Sequence, residues 1–182
     1  MTVLAFSGSP QPSSAIGHLL RVAAGLLPAG VEVVFYEGLL ELPLFSPEQD
    51  GAGAVPASAV ATLRQHIAAA DAVIIATPEY AYGMPGSLKN ALDWLVSAGS
   101  FYGKPTAVLS ASPSDAGGAK AHAGLLQTLE ALGAAVLPAA SFSIPFIRTK
   151  LDAAGNVTDA ALAEKIKTAV LALIVTVPTS VI

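Results

Sequence analysis

The sequence predicts an α/β protein in which helices cover both faces of a five-stranded parallel sheet. Short, mainly apolar runs alternate with helical stretches along the whole chain, in the order βαβαβαβαβα. Continuous apolar runs are typical of strands that are buried on both faces. Because parallel neighbours need a crossover connection, usually a helix, this alternation predicts a doubly wound three-layer fold. A length of 182 residues fits one domain, so we treat residues 1–182 as a single unit.

Five short runs rich in apolar or β-branched residues predict the strands, at residues 3–7, 31–36, 72–77, 105–110 and 134–137. Five longer stretches predict the helices, at residues 14–27, 58–70, 85–97, 118–132 and 159 to about 175. The loop at 38–57 contains three prolines and the apolar segment LPLF, which we expect to pack onto the protein or a partner. The final run TAVLALIVTVP is apolar for about ten residues, half of the roughly 20 that a membrane span needs, and predicts a buried terminal helix.

The composition excludes several classes of function. Apolar residues make up 53% of the chain and charged residues only 12%, which predicts extensive burial and is compatible with self-association. The net charge is −4 and the nine basic residues form no run, so we predict no nucleic-acid partner. Without cysteine, the chain has no disulfide, thiolate metal ligand or Cys nucleophile. Its first residues lack the basic start of a signal peptide, and we expect a cytoplasmic protein with no membrane partner.

Three loops that follow predicted strands are rich in Gly, Ser and Pro. They read SGSPQPSSAIG after the first strand, TPEYAYGMPG after the third and SASPSDAGG after the fourth. The loops at the opposite edge, such as LLPAG and EALGA, are short and plain. Ligands of doubly wound folds bind beyond the carboxyl ends of the strands, so the three loops predict one binding edge.

The first of these loops predicts a phosphate site. Ser7, Gly8, Ser9, Ser13 and Ser14 place hydroxyl groups and a flexible backbone before the first helix, whose N-terminal amides attract anions. A serine-rich helix cap is the alternative, and it accounts for one serine better than for several. The spacing matches neither G-x-G-x-x-G nor a Walker loop. We therefore expect a monophosphate carried by a larger flat group, since the second loop offers aromatic residues at the same edge.

The stretch PEYAYGMPGSLKNALDWL, residues 78–95, closely resembles the signature of the NADPH-dependent FMN reductase family. These flavodoxin-like flavoproteins include quinone and azo-dye reductases. The usual form is PEYN followed by YGxPGxLKNALDW, and Ala81 stands here in place of the Asn. The first loop resembles the family's G-S-x-R-x-x-S-x-N, with Gln11 in place of Arg and Ile16 in place of Asn. FYGKP at 101–105 and the glycine pair at 117–118 extend the resemblance over nearly the whole chain.

This resemblance implies a flavodoxin-like sheet of order 2-1-3-4-5, bound FMN, and NAD(P)H as electron donor. It implies that the first loop holds the phosphate at Ser7, Ser9, Gln11, Ser14, Ala15 and Ile16. It also implies that the isoalloxazine is lined by Pro78, Glu79, Tyr80, Ala81, Tyr82 and Gly83 and bordered on its far side by Ser110 and Gly117. No side chain is expected to be catalytic, because the flavin carries the chemistry. Losing the Arg removes a charge-assisted contact, which weakens the expected FMN affinity about tenfold or more.

Individual residues of the second loop have competing interpretations. Glu79 could serve as a general acid or base, but a role in fixing the loop is favoured because the flavin takes up hydride without a protein proton shuttle. At least one of Tyr80 and Tyr82 should face the ligand, since both cannot point into the core. Asp115 in the third loop is expected to be a turn residue first, with a cofactor contact as the alternative.

The helix predicted at 85–97 has an apolar stripe, expected to be core, formed by Leu88, Ala91, Leu92, Leu95 and Val96. Trp94 falls beside this stripe, which predicts a half-exposed side chain. The resemblance implies that a homodimer forms through this helix region, and Trp94 is the expected anchor. Lys89 and Asp93, four residues apart, are expected to pair on its surface. The three histidines lie on separate predicted helices, so we assign no metal site.

Three functions compete at this point. The first is an oxidoreductase that passes electrons from NAD(P)H through FMN to a quinone, azo compound, metal oxyanion or free flavin. The second is a flavodoxin-type electron carrier, which a charge of only −4 disfavours because such carriers are usually strongly acidic. The third is a flavin-binding module without turnover. The sequence leaves open the acceptor, the choice between NADH and NADPH, and dimer against tetramer.

Overall fold

The computed structural model describes residues 1–11, 13–51 and 53–177. Its strands are β1 (Thr2–Ser7), β2 (Glu32–Tyr36), β3 (Ala72–Pro78), β4 (Pro105–Ala111), β5 (Ala135–Val136) and β6 (Phe142–Ile144). Its α-helices are α1 (Ala15–Gly25), α2 (Ser58–Ala69), α3 (Gly86–Asp93), α4 (Ala119–Ala131) and α5 (Ala160–Thr176). Every predicted strand and helix is present.

The strands form one parallel sheet of order β2-β1-β3-β4-β5, with β6 paired to β4. The doubly wound fold and its strand order are therefore confirmed. One apolar core lies between the sheet and helices α2, α3 and α4. A second core lies on the opposite face, between the sheet and helices α1 and α5. The central strands β3 and β4 are buried almost throughout, which explains their continuous apolar sequences.

At one edge the sheet has a further strand, β6, that the sequence did not predict. The edge strand beside β4 is split into two pieces, because Pro138–Ala140 forms a 3₁₀ turn between β5 and β6. Proline has no amide hydrogen to donate to the ladder, so pairing is interrupted there. The Ser141 hydroxyl bridges the gap by accepting a hydrogen bond from the Val108 amide (3.0 Å). Pairing with β4 then resumes through Phe142–Ile144, beside the carboxyl edge of the sheet.

Helix α3 ends at Asp93, four residues before the predicted end at Ser97. The Trp94 carbonyl accepts a hydrogen bond from Nη2 of Arg64 (2.8 Å). This carbonyl therefore does not continue the helical hydrogen-bond ladder. The chain turns at this point, and Val96 is 64% exposed. Its prediction as a core residue is therefore wrong. The predicted pair of Lys89 and Asp93 is present at 2.6 Å.

Trp94 is 1% exposed, so the prediction of a half-exposed residue at a homodimer interface is wrong. Its ring packs edge-to-face on Phe45 with centroids 5.1 Å apart, and its Nε1–H donates to the Pro43 carbonyl (2.9 Å). The loop at 38–57 thus folds back over α3, and the expectation that its LPLF segment packs down is confirmed for Leu42 and Phe45. Arg64 pins the same loop by pairing with the Asp50 carboxylate.

Residues 178–182, at the end of the predicted terminal helix region, lie outside the described residues. Helix α5 ends at Thr176 and buries Leu162, Ile166 and Leu173 against the sheet. Within the described ranges, no helix combines the length and the apolar character needed to cross a membrane.

Candidate active site

Three loops meet at the carboxyl edge of the sheet. The register pairs Ser7 at the end of β1 with Ala76 of β3, and Thr77 of β3 with Ser110 of β4. Strand ends that are neighbours in the sheet carry their following loops to neighbouring positions, about 4.8 Å apart per strand. The loops after β1, β3 and β4 therefore form one continuous surface, as the sequence predicted.

The loop between β1 and α1 is held in place by its own serines. The Ser7 hydroxyl accepts a hydrogen bond from the Ser9 amide (3.2 Å), and the Ser9 hydroxyl accepts one from the Gln11 amide (3.2 Å). Ser9 is buried, whereas Gln11 and Ser13 are exposed. The Ser14 hydroxyl caps α1 by accepting from the Gly17 amide (3.1 Å). The serines thus shape the loop, and the alternative of a serine cap holds for Ser14 itself.

The N-terminus of α1 presents anion-binding amides at this loop. The amides of Ala15 and Ile16 lie in the first helical turn, where the backbone offers no intrahelical acceptor. The Ile16 side chain is buried in the core against the sheet, so only its backbone faces the loop. At the position where the family has an Asn side chain, this chain can therefore contact a ligand only through the backbone N–H of Ile16. The helix dipole adds a partial positive charge at the same position.

The loop after β3 contains a tight turn with an unusual backbone. Tyr80 and Gly83 exchange two hydrogen bonds, 2.9 and 3.0 Å long, across Ala81 and Tyr82. Both central residues have positive φ, 49° for Ala81 and 63° for Tyr82, as in a type I′ turn. Such a turn prefers Asn or Gly at its first central position, because L-residues with a Cβ are strained there. Ala81, the position where the family has Asn, is therefore a strained residue.

Replacing Ala81 with asparagine is expected to stabilise the protein by about 0.5 to 1 kcal/mol, since Asn tolerates positive φ better than Ala. Chemical denaturation of the two proteins measures the difference. Ala98→Asn is the matched control, because Ala98 is also exposed in a turn but has no positive φ. Equal changes in the two variants would show that the backbone at Ala81 is not the cause.

Glu79 joins the second loop to the third. Its Oε2 accepts hydrogen bonds from the Lys120 amide (2.9 Å) and the Ala121 amide (3.0 Å) in the first turn of α4. A carboxylate at this position also neutralises the positive end of the helix dipole. Glu79 is thus a loop-fixing residue, the role that the sequence favoured over acid–base catalysis.

The two tyrosines of the turn lie on the surface of the site. Tyr80 is 50% exposed and Tyr82 is 73% exposed. The Lys120 ammonium lies 3.7 Å from the centroid of the Tyr82 ring, which is a cation–π contact. Neither tyrosine points into the core, so both remain able to contact a flat ligand. Pro78 ends β3 beneath them.

The loop after β4 is built on buried groups. Ser110 is buried, and its hydroxyl lies 3.2 Å from the Gly117 carbonyl and 2.9 Å from the Ser143 hydroxyl. Ser110 therefore supports the loop from beneath, while the loop backbone forms the surface. Gly117 has a φ of 62° and touches the backbone of residues 144–145. Asp115 lies in an exposed turn of this loop, as expected.

Phe146 lies beside the third loop and is not among the residues that the sequence predicted for the site. It follows β6, has a φ of 52°, and is about half exposed. Its amide donates to the Ser114 carbonyl (3.1 Å), which holds it beside the third loop. No motif marks it in the sequence, because β6 itself was not predicted. Strained non-glycine residues of this kind cluster at functional sites.

The observed geometry fits FMN. The free amides of α1 and the buried Ser9 suit a phosphate without a cation, and exposed aromatic rings with kinked backbone suit a flat tricyclic ring. Within the described part of the chain, no group of three or more His, Cys, Asp or Glu side chains is placed to hold a metal ion.

Comparison with known proteins agrees with this fit. The chain is 38% identical over 159 residues to an NAD(P)H-dependent FMN reductase of Pseudomonas aeruginosa, covering 86% of this chain and 84% of that protein. It is 34% identical over 154 residues to a quinone reductase of Escherichia coli, covering 84% and 81%. Among solved structures, the flavoenzyme NAD(P)H:(acceptor) oxidoreductase FerB of Paracoccus denitrificans superposes with a TM-score of 0.81 at 29% identity, covering 97% of this chain and 96% of that one.

The family model for NADPH-dependent FMN reductases matches residues 1–149, which include all three loops of the site. The protein is accordingly an oxidoreductase that uses FMN and NAD(P)H. On these matches, the chain belongs to the NADPH-dependent FMN reductase family.

Proposed function

We propose that FMN binds with its phosphate at the N-terminus of α1 and its ring against the loops after β3 and β4, and that electrons pass from NAD(P)H to a quinone. The observation that carries this proposal is the position of the free α1 amides beside the buried Ser9, at the same edge as the exposed Tyr80 and Tyr82. Relatives named quinone reductases support the class of acceptor.

Each residue of the site contributes binding or positioning. When bound, FMN supplies the redox chemistry, since its ring takes up a hydride and gives electrons to an acceptor. The amides of Ala15 and Ile16 hold the phosphate, and Ser9 keeps the loop in the required shape. Glu79 locks the second loop to α4, so the two loops form one rigid wall. The tyrosines of the turn cover the ring and exclude water from one face.

The site is tested by titrating the purified protein with FMN and with FAD and following the visible flavin spectrum. We expect FMN to bind more tightly, because the first loop offers a place for one terminal phosphate. Steady-state assays with NADH, NADPH and a panel of quinones then identify donor and acceptor. Absence of FMN binding at high micromolar concentration, or equal affinity for both flavins, would contradict the proposed site.

Gln11→Arg is expected to tighten FMN binding by about 1 to 2 kcal/mol, because a guanidinium adds a charge-assisted contact to the phosphate. Gln11 is exposed at the tip of the first loop, where a longer side chain is accommodated without loss of packing. Fluorescence titration of FMN measures the effect. Gln65→Arg, at an exposed position of α2, adds the same charge away from the site and is the control. An unchanged affinity in Gln11→Arg would show that this position points away from the phosphate.

We also propose that the protein acts in the cytoplasm and forms a homodimer or tetramer. Trp94 takes no part in this assembly, because it is buried within the chain. Leu44, within the loop that covers Trp94, and Val96, just after α3, are exposed apolar residues, and they are the candidates that replace Trp94. Sedimentation equilibrium counts the chains directly.

A further inference from the structure

A cavity of about 360 Å³ lies beside the first loop, between α1 and the chain at the end of β2. Its α1 wall includes Gly17 and Arg21, and its β2 wall includes Phe35 and Glu37. Phe35 pairs with Ala5 of β1, and Ala5 lies in the core on the α1 side of the sheet. Residues paired across parallel strands share a face, so Phe35 faces the α1 side of the sheet. Glu37, which follows β2, lines the cavity beside it.

The cavity is continuous with the phosphate loop. Ser7 and Ser9 line it, and the same serines shape the loop at the N-terminus of α1. It opens at the carboxyl edge, one strand away from β1 and three strands away from β4. At about 4.8 Å per strand this is a separation of about 14 Å. Dinucleotides bind across the crevice at this edge in doubly wound folds.

The lining has the chemistry of a nucleoside site. Phe35 and Leu40 are large apolar side chains left partly exposed, which suits the face of a base. Glu37 follows the last residue of β2 directly and is exposed. In doubly wound dinucleotide folds, an acidic residue at this place accepts hydrogen bonds from ribose hydroxyls. The volume lies within the range of small-molecule pockets.

We propose that this cavity holds the adenosine end of the nicotinamide nucleotide, with the Glu37 carboxylate accepting hydrogen bonds from the ribose hydroxyls. The inference rests on the proposed FMN site, since the nicotinamide end must reach the ring beside β3 and β4. It also predicts the preferred donor. Two carboxylates, Glu37 and Glu41, line the cavity against one guanidinium, Arg21, so a 2′-phosphate is repelled and NADH is selected over NADPH.

The Arg21 guanidinium contacts a neighbouring histidine of the same helix. Its Nη2 lies 3.1 Å from the His18 Nδ1 on the same helix. A site that selects a 2′-phosphate would instead direct its cation toward the ribose and lack an acid at the end of β2. The position of Glu37 is therefore the feature that decides selectivity.

The test measures binding of ADP-ribose and of 2′-phospho-ADP-ribose to the FMN-loaded protein by calorimetry. We expect the wild type to bind ADP-ribose about tenfold or more tightly than its 2′-phosphate, and Glu37→Ser to lose about tenfold in ADP-ribose affinity. Glu32→Ser is the matched control, because Glu32 is an exposed glutamate at the opposite end of β2. Glu37→Arg is expected to reverse the preference, and the KM ratio for NADH and NADPH should follow the same order.

The inference is overturned if Glu37→Ser and wild type bind ADP-ribose equally, or if neither binds it. In that case normal FMN binding and reduction by NADH would leave the proposed function standing. Failure of the wild type to bind FMN contradicts the proposed site, and the inference that rests on it, before the nucleotide is added. An unchanged flavin spectrum in Glu37→Ser establishes that the variant is folded.

Discussion

Gly117→Ala is expected to destabilise the protein by about 3 kcal/mol or more and to weaken FMN binding. A Cβ at this position would lie 2.8 Å from the Pro145 nitrogen and 2.9 Å from the Ile144 carbonyl carbon. Both are backbone atoms and cannot rotate away, so the loop itself must move. The φ of 62° adds about 1 to 2 kcal/mol of strain for a residue with a Cβ, and overpacking adds about 1 to 3 kcal/mol.

Gly99→Ala separates the two causes. Gly99 has a φ of 60°, but an added Cβ would meet no atom within 4 Å. It therefore reports the backbone strain alone, and we expect it to lose only about 1 to 2 kcal/mol with FMN affinity unchanged. Urea unfolding and FMN titration measure both quantities. If the two variants lose equal stability, the close approach of the third loop to residues 144–145 does not contribute to the destabilisation.

Trp94→Ala is expected to destabilise the protein by about 3 to 5 kcal/mol, because it removes a large, fully buried ring from the core beneath the loop at 38–57. The loss includes the edge-to-face contact with Phe45 and the hydrogen bond to the Pro43 carbonyl. Both contacts tie this loop to α3. We expect the loop to become accessible to proteases while the rest of the fold persists.

Trp94→Phe keeps an aromatic ring and removes the Nε1–H donor. We expect this variant to lose only about 1 to 2 kcal/mol of stability, the cost of losing the hydrogen bond to the Pro43 carbonyl. Sedimentation of the folded variant should match the wild type, since a residue that is 1% exposed within its own chain has almost no surface for a partner. If the folded variant instead sedimented as a smaller species than the wild type, Trp94 would after all contribute to an interface between chains.

The elements of the fold follow from local patterns, whereas the edge strand and the end of α3 do not. Strand β3 consists of AVIIATP, and no neighbour is needed to predict that it is buried. The bridge across the split between β5 and β6 is a hydrogen bond from the Val108 amide to the Ser141 hydroxyl, 33 residues away, which no local pattern predicts. The end of α3 depends on Arg64, which reaches the Trp94 carbonyl from α2. The helical periodicity of residues 85–97 cannot predict that contact, because Arg64 lies on another helix.

The site divides in the same way. The three loops and the loop-fixing role of Glu79 were predicted from motif and position, and the structure confirms both the convergence and the contact with α4. The positive φ of Phe146 and the burial of Ser110 were not predictable, because each depends on β6 lying beside β4. The cavity beside Glu37 was equally hidden, since its walls come from α1 and β2.

The order of strands and helices, the binding edge and the family signature are written in short stretches of chain, because apolar runs and loop motifs act over a few neighbouring residues. The tertiary structure alone decided where Trp94 points. Its helix-wheel position placed it at the margin of a stripe, but Pro43, 51 residues earlier, supplies the carbonyl that its indole needs inside the core. A buried indole is stable only with such a partner, and a partner so distant in the chain exists only once the loop has folded over the helix.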